Sequence, residues 1–224
     1  MKELNLRPII REETTKDRVY REIKEAILTG KIPSDIIFTE AQLSELLNTS
    51  RTPVREAVQD LLKEGLVVTI PRKGLQVKTI TPIEKEQIQL LRTTIETTII
   101  YKAAKVMSEV DINRMKSIYQ KQLEARDENN TLRFLELDHA FHAVPFKALR
   151  YELGQQLLGN LKDMTHLIGL KALKKYGRMN EVLQEHEAII ERLEAKDSAG
   201  AAEQMRSHIA RTGDILDSIQ GLEG

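Results

Sequence analysis

The sequence predicts a mainly α protein in two parts. The first is a winged helix-turn-helix with a small β-hairpin wing, and the second an all-α antiparallel helical bundle. Three observations predict this. Apolar residues recur at three- and four-residue spacing along most of the chain, and strand-like residues cluster only between Val67 and Val77. Aromatic content is 4% with no Trp, which favours packed helices over a β-sandwich, and 224 residues give room for two domains.

The elements of residues 1–80 follow in order. Thr15 is placed to cap a helix that carries Val19, Tyr20, Ile23 and Ile27 and ends at Gly30. After the turn-like Ile32-Pro33-Ser34-Asp35, Thr39 caps a short helix through Leu47, with Leu43, Leu46 and Leu47 inward. Asn48-Thr49 makes a tight turn. A third helix starts at Ser50–Thr52, where Pro53 is tolerated in the first turn. Its buried stripe is Val54, Ala57, Val58, Leu61 and Leu62, and Gly65 terminates it. Val67–Ile70 and Leu75–Val77 read as two strands around Pro71-Arg72-Lys73-Gly74.

Two short helices, a tight turn and a hairpin describe a unit whose second helix enters the major groove of double-stranded DNA, N-terminal residues toward the bases. Those residues are Ser50, Arg51, Thr52 and Arg55, while Arg72, Lys73 and Gly74 occupy the hairpin tip. Arg can fork onto guanine or grip a phosphate. Two arginines on a helix are by themselves more often a solvated face; the order of helix, turn, helix and wing reverses that preference. Residues 1–80 hold 14 Lys+Arg against 12 Asp+Glu, so duplex affinity has to come from local placement and from dimerisation.

Thr81-Pro82-Ile83-Glu84 combines a capping Thr, a first-turn Pro and Glu at N3, which opens a new helix and sets the domain boundary at 80/81. Residues 81–224 then read as six helices, at about 82–107, 111–127, 131–149, 152–175, 179–195 and 198–219. Leu135, Asp138 and His142 share one face of the third. His186 lies on the apolar face of the fifth with Val182, Ile189, Ile190 and Leu193. His208 lies on that of the sixth with Ala201, Met205, Thr212 and Ile215.

One carboxylate and three imidazoles turned into an apolar core satisfy each other best around a divalent cation. Zn²⁺ is the expected metal, with Ni²⁺ or Mn²⁺ as alternatives. His139 and His166 are read instead as hydrogen-bonded core residues. His186-Glu187 begins like H-E-x-x-H, but Ile190 stands where the second ligand belongs, so that match fails. The absence of Cys excludes disulfides and thiolate metal sites. MKELNLRPIIREE lacks an apolar signal core and no run approaches a membrane span, so a soluble cytoplasmic protein is expected.

"TEAQLSELLNTSRTPVREAVQDLLKEGLV" followed by "PRKGLQV" resembles the N-terminal domain of GntR-family bacterial transcription regulators. "LDHAFH", "QEHEAIIERLEAKD" and "AAEQMRSHIARTGDIL" resemble three blocks of the FCD effector domain of one GntR subfamily. The resemblance implies DNA contacts by Arg51 and Arg55, assisted by Thr52 and the Gly74 wing. It also implies metal ligation by Asp138, His142, His186 and His208. Where some members carry a basic residue, this chain has Ala41 or Gln42.

The expected function is that of a ligand-responsive regulator, a repressor of a catabolic operon, acting as a homodimer on operator DNA. A small organic acid at the metal would be its effector, with Arg92 holding the effector's other end. The alternatives are a helical metallohydrolase, or a DNA-binding protein whose histidines are purely structural.

Overall fold

The computed structural model describes residues 13–173 and 175–220, with side chains described through residue 215. The stretch read as lacking a signal core therefore lies, up to residue 12, outside the described residues. The chain divides into two compact units that meet between Lys78 and Thr79, with Leu28–Lys31 grouped with the second.

In the first unit α1 spans Thr15–Leu28, α2 Glu40–Leu46 and α3 Arg51–Lys63. The cap of α1 is Thr14, one residue earlier than expected: Asp17 N–H donates to Thr14 Oγ1 at 3.1 Å, and Thr14 N–H donates back to Asp17 Oδ2 at 3.1 Å. Asp17 stands three residues after Thr14, where a capping box needs its acid, and that spacing selects the earlier threonine. Thr39 caps α2 as expected, and Gln42 closes the box by accepting from Thr39 N–H at 2.9 Å.

The turn between α2 and α3 is a Schellman motif. Asn48 takes φ 46°, its N–H donates to the Glu45 carbonyl, and Thr49 N–H donates to that of Ser44. Gly65, at φ 74°, ends α3 the same way through Leu62 and Leu61. Val54, Ala57, Val58 and Leu61 are fully buried, but Leu46, expected inward, is 81% exposed. The seven-residue α2 has one inward edge, and Leu43 and Ser44 occupy it.

The wing gains a strand that the sequence reading missed. β1 (Ile37–Phe38) pairs with β3 (Gly74–Val77), which pairs with β2 (Val67–Ile70), giving an antiparallel sheet in the order β1-β3-β2. A two-residue strand leaves no periodic signal. Lys73 N–H donates to the Ile70 carbonyl across a turn in which Arg72 carries φ 62°. Gly74 has a structural reason to be glycine. Its φ is 141°, and a Cβ there would lie 2.5 Å from the Phe38 carbonyl oxygen.

The second unit contains seven helices among the described residues: α4 Pro82–Ala103, α5 Glu109–Asp127, α6 Thr131–Ala148, α7 Glu152–Asn160, α8 Lys162–Ala172, α9 Arg178–Glu194 and α10 Ser198–Gln220. The helix expected over 152–175 is thus two helices, broken at Leu161 just after Gly159-Asn160. Both of those residues favour a helix end over a helix interior. Capping boxes open α4 at Thr81/Glu84 and α5 at Ser108/Asp111. α10 packs on α4 and α9, and α5 on α6 and α9. Ile100, Met115, Phe141, Val144, Ile189 and Met205 form the centre of the shared core.

Substituting Gly74→Ala should strain the backbone and force β1 from β3, costing roughly 1–3 kcal/mol of the first unit's stability. Hydrogen exchange should then accelerate at the β1 and β3 amides but not in α4–α10; unchanged protection at Phe38 would refute the role given to the glycine.

Candidate metal centre

Asp138 and His142 sit one turn apart on α6, His186 on the inner face of α9 and His208 on that of α10. The three imidazoles are at most 3% exposed. Each of the four side chains offers one ligand atom, and these atoms all lie within 4.8 Å of one another. Asp138 Oδ1 is 3.4 Å from His186 Nε2, its Oδ2 3.8 Å from His142 Nε2, and the Nε2 atoms of His142 and His208 are 3.1 Å apart. Helical spacing alone had grouped these residues, and the fold brings them together.

Behind each ring stands an acceptor the sequence reading missed. His142 Nδ1 sits against Glu96 Oε2 on α4. His186 Nδ1 donates to Gln122 Oε1 on α5 at 2.8 Å, and His208 Nδ1 to Glu185 Oε2 on α9 at 2.7 Å. These acceptors commit the Nδ1 protons, so all three Nε2 lone pairs face inward. The signal for Gln122 was a polar residue seven positions after Met115 on a stripe otherwise apolar (Ile112, Met115, Ala125). Glu96 and Glu185 left no comparable sign, because charged residues on helices are usually solvated.

Two buried arginines hold the acids. Arg92 Nε donates to Glu96 Oε1 at 2.6 Å, and Arg178, 1% exposed, grips Glu185 with NH1 at 2.6 Å and NH2 at 3.0 Å. Arg178 NH2 also donates to Thr212 Oγ1 at 3.1 Å. Burial by itself raises the Glu96 pKa, but Arg92 and His142 outweigh it and hold the carboxyl well below its ordinary range. Glu185, under the same opposition between burial and its His208 and Arg178 partners, falls to about 2. Burial first, then the neighbouring imidazoles, takes His186 well below the ordinary imidazole value. Burial also lowers His208, against the pull of Glu185.

The donors fit a divalent cation. With carboxylates behind both Nδ1 atoms, the Nε2 atoms of His142 and His208 face each other at 3.1 Å, where a cation would satisfy both. His186 Nε2, fully buried, has no hydrogen-bond partner among the described residues. The two carboxylates that a hydrolase could have recruited as general base, Glu96 and Glu185, are ionised, paired with arginine and spent on imidazole protons.

Arg92 lines a small cavity of about 40 Å³ together with Asp138, His142, Arg178 and His208. Its pairing with Glu96 is a buried one, the two side chains being 8% and 1% exposed. In the first unit, Ser50, Arg51, Thr52 and Arg55 lie at the open N-terminal end of α3, all but Ser50 beside a shallow groove. Neither arginine has an ion-pair or hydrogen-bond partner among the described residues. Arg72 and Lys73 are exposed at the hairpin tip.

Residues 15–77 match the gntR family of bacterial regulatory proteins, and residues 87–211 match the FCD domain. The chain is 23% identical over 208 residues to the HTH-type transcriptional repressor RspR of Escherichia coli, covering 93% of this chain and 91% of the repressor. It is 24% identical over 214 residues to the gluconate operon transcriptional repressor of Bacillus subtilis, covering 93% and 86%. Its fold is shared by a GntR regulator structure from Rhodococcus, with a TM-score of 0.77, 18% identity and 90% and 97% coverage. The E. coli McbR/YncC structure is similar at a TM-score of 0.74, 16% identity and 92% and 99% coverage. No helix among the described residues is long and apolar enough to cross a membrane. The chain belongs to the FCD-domain family of GntR-type transcription regulators, and not to a family of enzymes.

Proposed function

We propose that this regulator binds paired operator half-sites as a homodimer in the cytoplasm, represses a catabolic operon, and is released by a small organic acid sensed at a Zn²⁺ site in its helical unit. The observation that carries this reading is the convergence of Asp138, His142, His186 and His208 beside a cavity that two buried arginines also line.

The charges explain why metal and acid belong together. Asp138, Glu96 and Glu185 bring three negative charges against the two of Arg92 and Arg178, leaving the centre at minus one. Arg211, which also reaches Glu185, is 60% exposed and largely solvated. When bound, a divalent cation reverses that sign to plus one and offers open coordination to an oxyanion. The four ligands tie α6, α9 and α10 together, and Glu96, Gln122 and Glu185 hold the rings in the ligating tautomer. Arg92 stands ready for the second polar group of the effector. By the ~10–15 Å³ that one water needs, the cavity takes about three water-sized groups, which limits the acid to a short one. Three imidazoles favour Zn²⁺ over Mn²⁺, with Ni²⁺ the closest competitor.

For the DNA side, the unpartnered Arg51 and Arg55 reach bases or phosphates, with Ser50, Thr52, Arg72, Lys73 and Gly74 adding contacts. For dimerisation, α4 exposes Ile83, Leu90 and Tyr101 on one face and α7 exposes Leu153 and Leu157.

Arg55→Ala should weaken operator binding at least tenfold while leaving the melt of the helical unit unchanged. Leu90→Glu should lower the sedimented mass to a monomer and weaken binding to paired half-sites. Wild-type affinity in both variants would rule out the DNA and dimer readings.

Chelation should lower the melting temperature and added Zn²⁺ restore it, because a ligand bound only by the native state stabilises it. Acid should act in the same direction on the metal-free protein. His186 and His208 have folded pKa values below the ordinary 6.5, so the unfolded chain protonates first and stability falls as pH drops below that value. A melt indifferent to chelator, to Zn²⁺ and to this pH range would refute the centre.

His208→Ala should retain operator binding, since α1–α3 keep their own core, yet lose the release by organic acids. The coupling at stake is about 1–3 kcal/mol, a 5- to 150-fold change in operator affinity. A full response in this variant would place the effector elsewhere.

A further inference from the structure

His166, on α8, is 3% exposed and lines the same cavity as Asp138, Thr165 and Arg92, yet it belongs to neither the ligand set nor its supporting acceptors. Its Nε2 is 3.1 Å from the Leu135 carbonyl on α6. A carbonyl can only accept, so Nε2 carries the ring proton and Nδ1 presents a bare lone pair. That Nδ1 is buried and has no hydrogen-bond partner among the described residues. Gly169 sits close against α6: a Cβ there would lie 2.6 Å from Leu135 Cδ2 and would push that side chain aside. The ring of His139 stands edge-on to that of His166, with centroids 6.3 Å apart. Burial, followed by the charge of Lys162, lowers the His166 pKa to about 4, which keeps the ring neutral at physiological pH.

We propose that His166 Nδ1 reads the effector, selecting short acids that carry a hydroxyl donor in addition to the carboxylate. The lining then combines two senses of polarity: Arg92, Arg178 and the four-ligand centre attract an anion, and His166 offers an acceptor. An acid without a donor leaves that acceptor unpaired on binding and forfeits the affinity of one buried hydrogen bond, a larger discrimination than a missing methylene gives. His139, half-buried beside it, lines the same cavity.

This inference rests on the acid-sensing reading above, and the test separates the two. Titrate the Zn²⁺-loaded full chain with propanoate, 2-hydroxypropanoate and 3-hydroxypropanoate by calorimetry. At least one hydroxy acid should bind about tenfold or more tightly than propanoate. In His166→Phe that preference should vanish while propanoate affinity stays within about twofold. His166→Gln, whose amide can donate to Leu135 and still turn an oxygen to the cavity, should keep part of the preference and guards against a loss that is only misfolding. Equal affinities for the three acids in the wild-type chain would overturn the role of His166 and leave acid sensing standing. A hydroxyl preference that survives in a folded His166→Phe would also overturn it, assigning the hydroxyl to the metal instead. Binding of none of the acids would overturn both readings.

Discussion

Three imidazoles buried in one core can coexist only if every ring nitrogen has an assigned partner, and the helical unit is built around that demand. Each Nδ1 proton goes to an oxygen on a different helix: Glu96 on α4, Gln122 on α5 and Glu185 on α9. Burying Glu96 and Glu185 as charges requires cations, and Arg92 and Arg178 are drawn inside to supply them. The polar network therefore reaches five helices, α4, α5, α6, α9 and α10, and fixes their rotation as firmly as the apolar layer of Ile100, Met115, Phe141 and Met205. Phe141 joins the two, stacking on His186 with ring centroids 3.9 Å apart. What the network leaves over is three lone pairs and one carboxylate pointing at the same place.

Much of this was legible in the residues. Asp138, His142, His186 and His208 each stand on an apolar stripe, where a polar group has no ordinary reason to be, and helical periodicity turns that anomaly into a direction. Caps were read at Thr39 and Thr81, each three residues before an amide or an acid, while the same spacing at Ser108 and Asp111 went unread. At α1 the choice of Thr14 over Thr15 turned on which threonine stands three residues before Asp17. The acids and cations behind the rings were not legible. Glu96, Glu185 and Arg178 belong to residue types that nearly always face water, and only tertiary contact shows which exceptions are buried. The two-residue β1 was too short to leave a pattern. The break at Leu161 was hidden because apolar spacing continues across it, and only Gly159-Asn160 marks the stop.

The winged unit follows a different logic. Its core is apolar and closed by local devices: two Schellman turns at Asn48 and Gly65, and a glycine at position 74 that lets β3 lie against the Phe38 carbonyl. These fix the backbone between α2 and α3 and at the base of the wing. Arg51, Arg55 and Arg72 are exposed and have no ion-pair partner among the described residues. Two of the acids nearby are taken up by lysines: Asp60 by Lys16 and Lys63, and Glu64 by Lys24. Anionic partners thus meet a small set of uncommitted cations rather than a uniformly basic surface, consistent with the near balance of charge over the first 80 residues.

Buried groups that break the rules of a satisfied core mark where a fold has given up stability for use. Among the described residues the helical unit breaks them, besides the Gln122 amide nitrogen, at His186 Nε2, at the facing Nε2 atoms of His142 and His208, and at His166 Nδ1. The three Nε2 atoms share one cure, a cation. The last cannot share it, because its neighbouring nitrogen is pinned to the Leu135 carbonyl and its ring belongs to a different helix, α8. It needs a donor, and the hydroxyl of a small hydroxy acid would bring one into the same cavity as the anion that the loaded centre would attract. The same unsatisfied atoms that point to the metal therefore also describe its companion: negative at one end, carrying a hydrogen to give at the other.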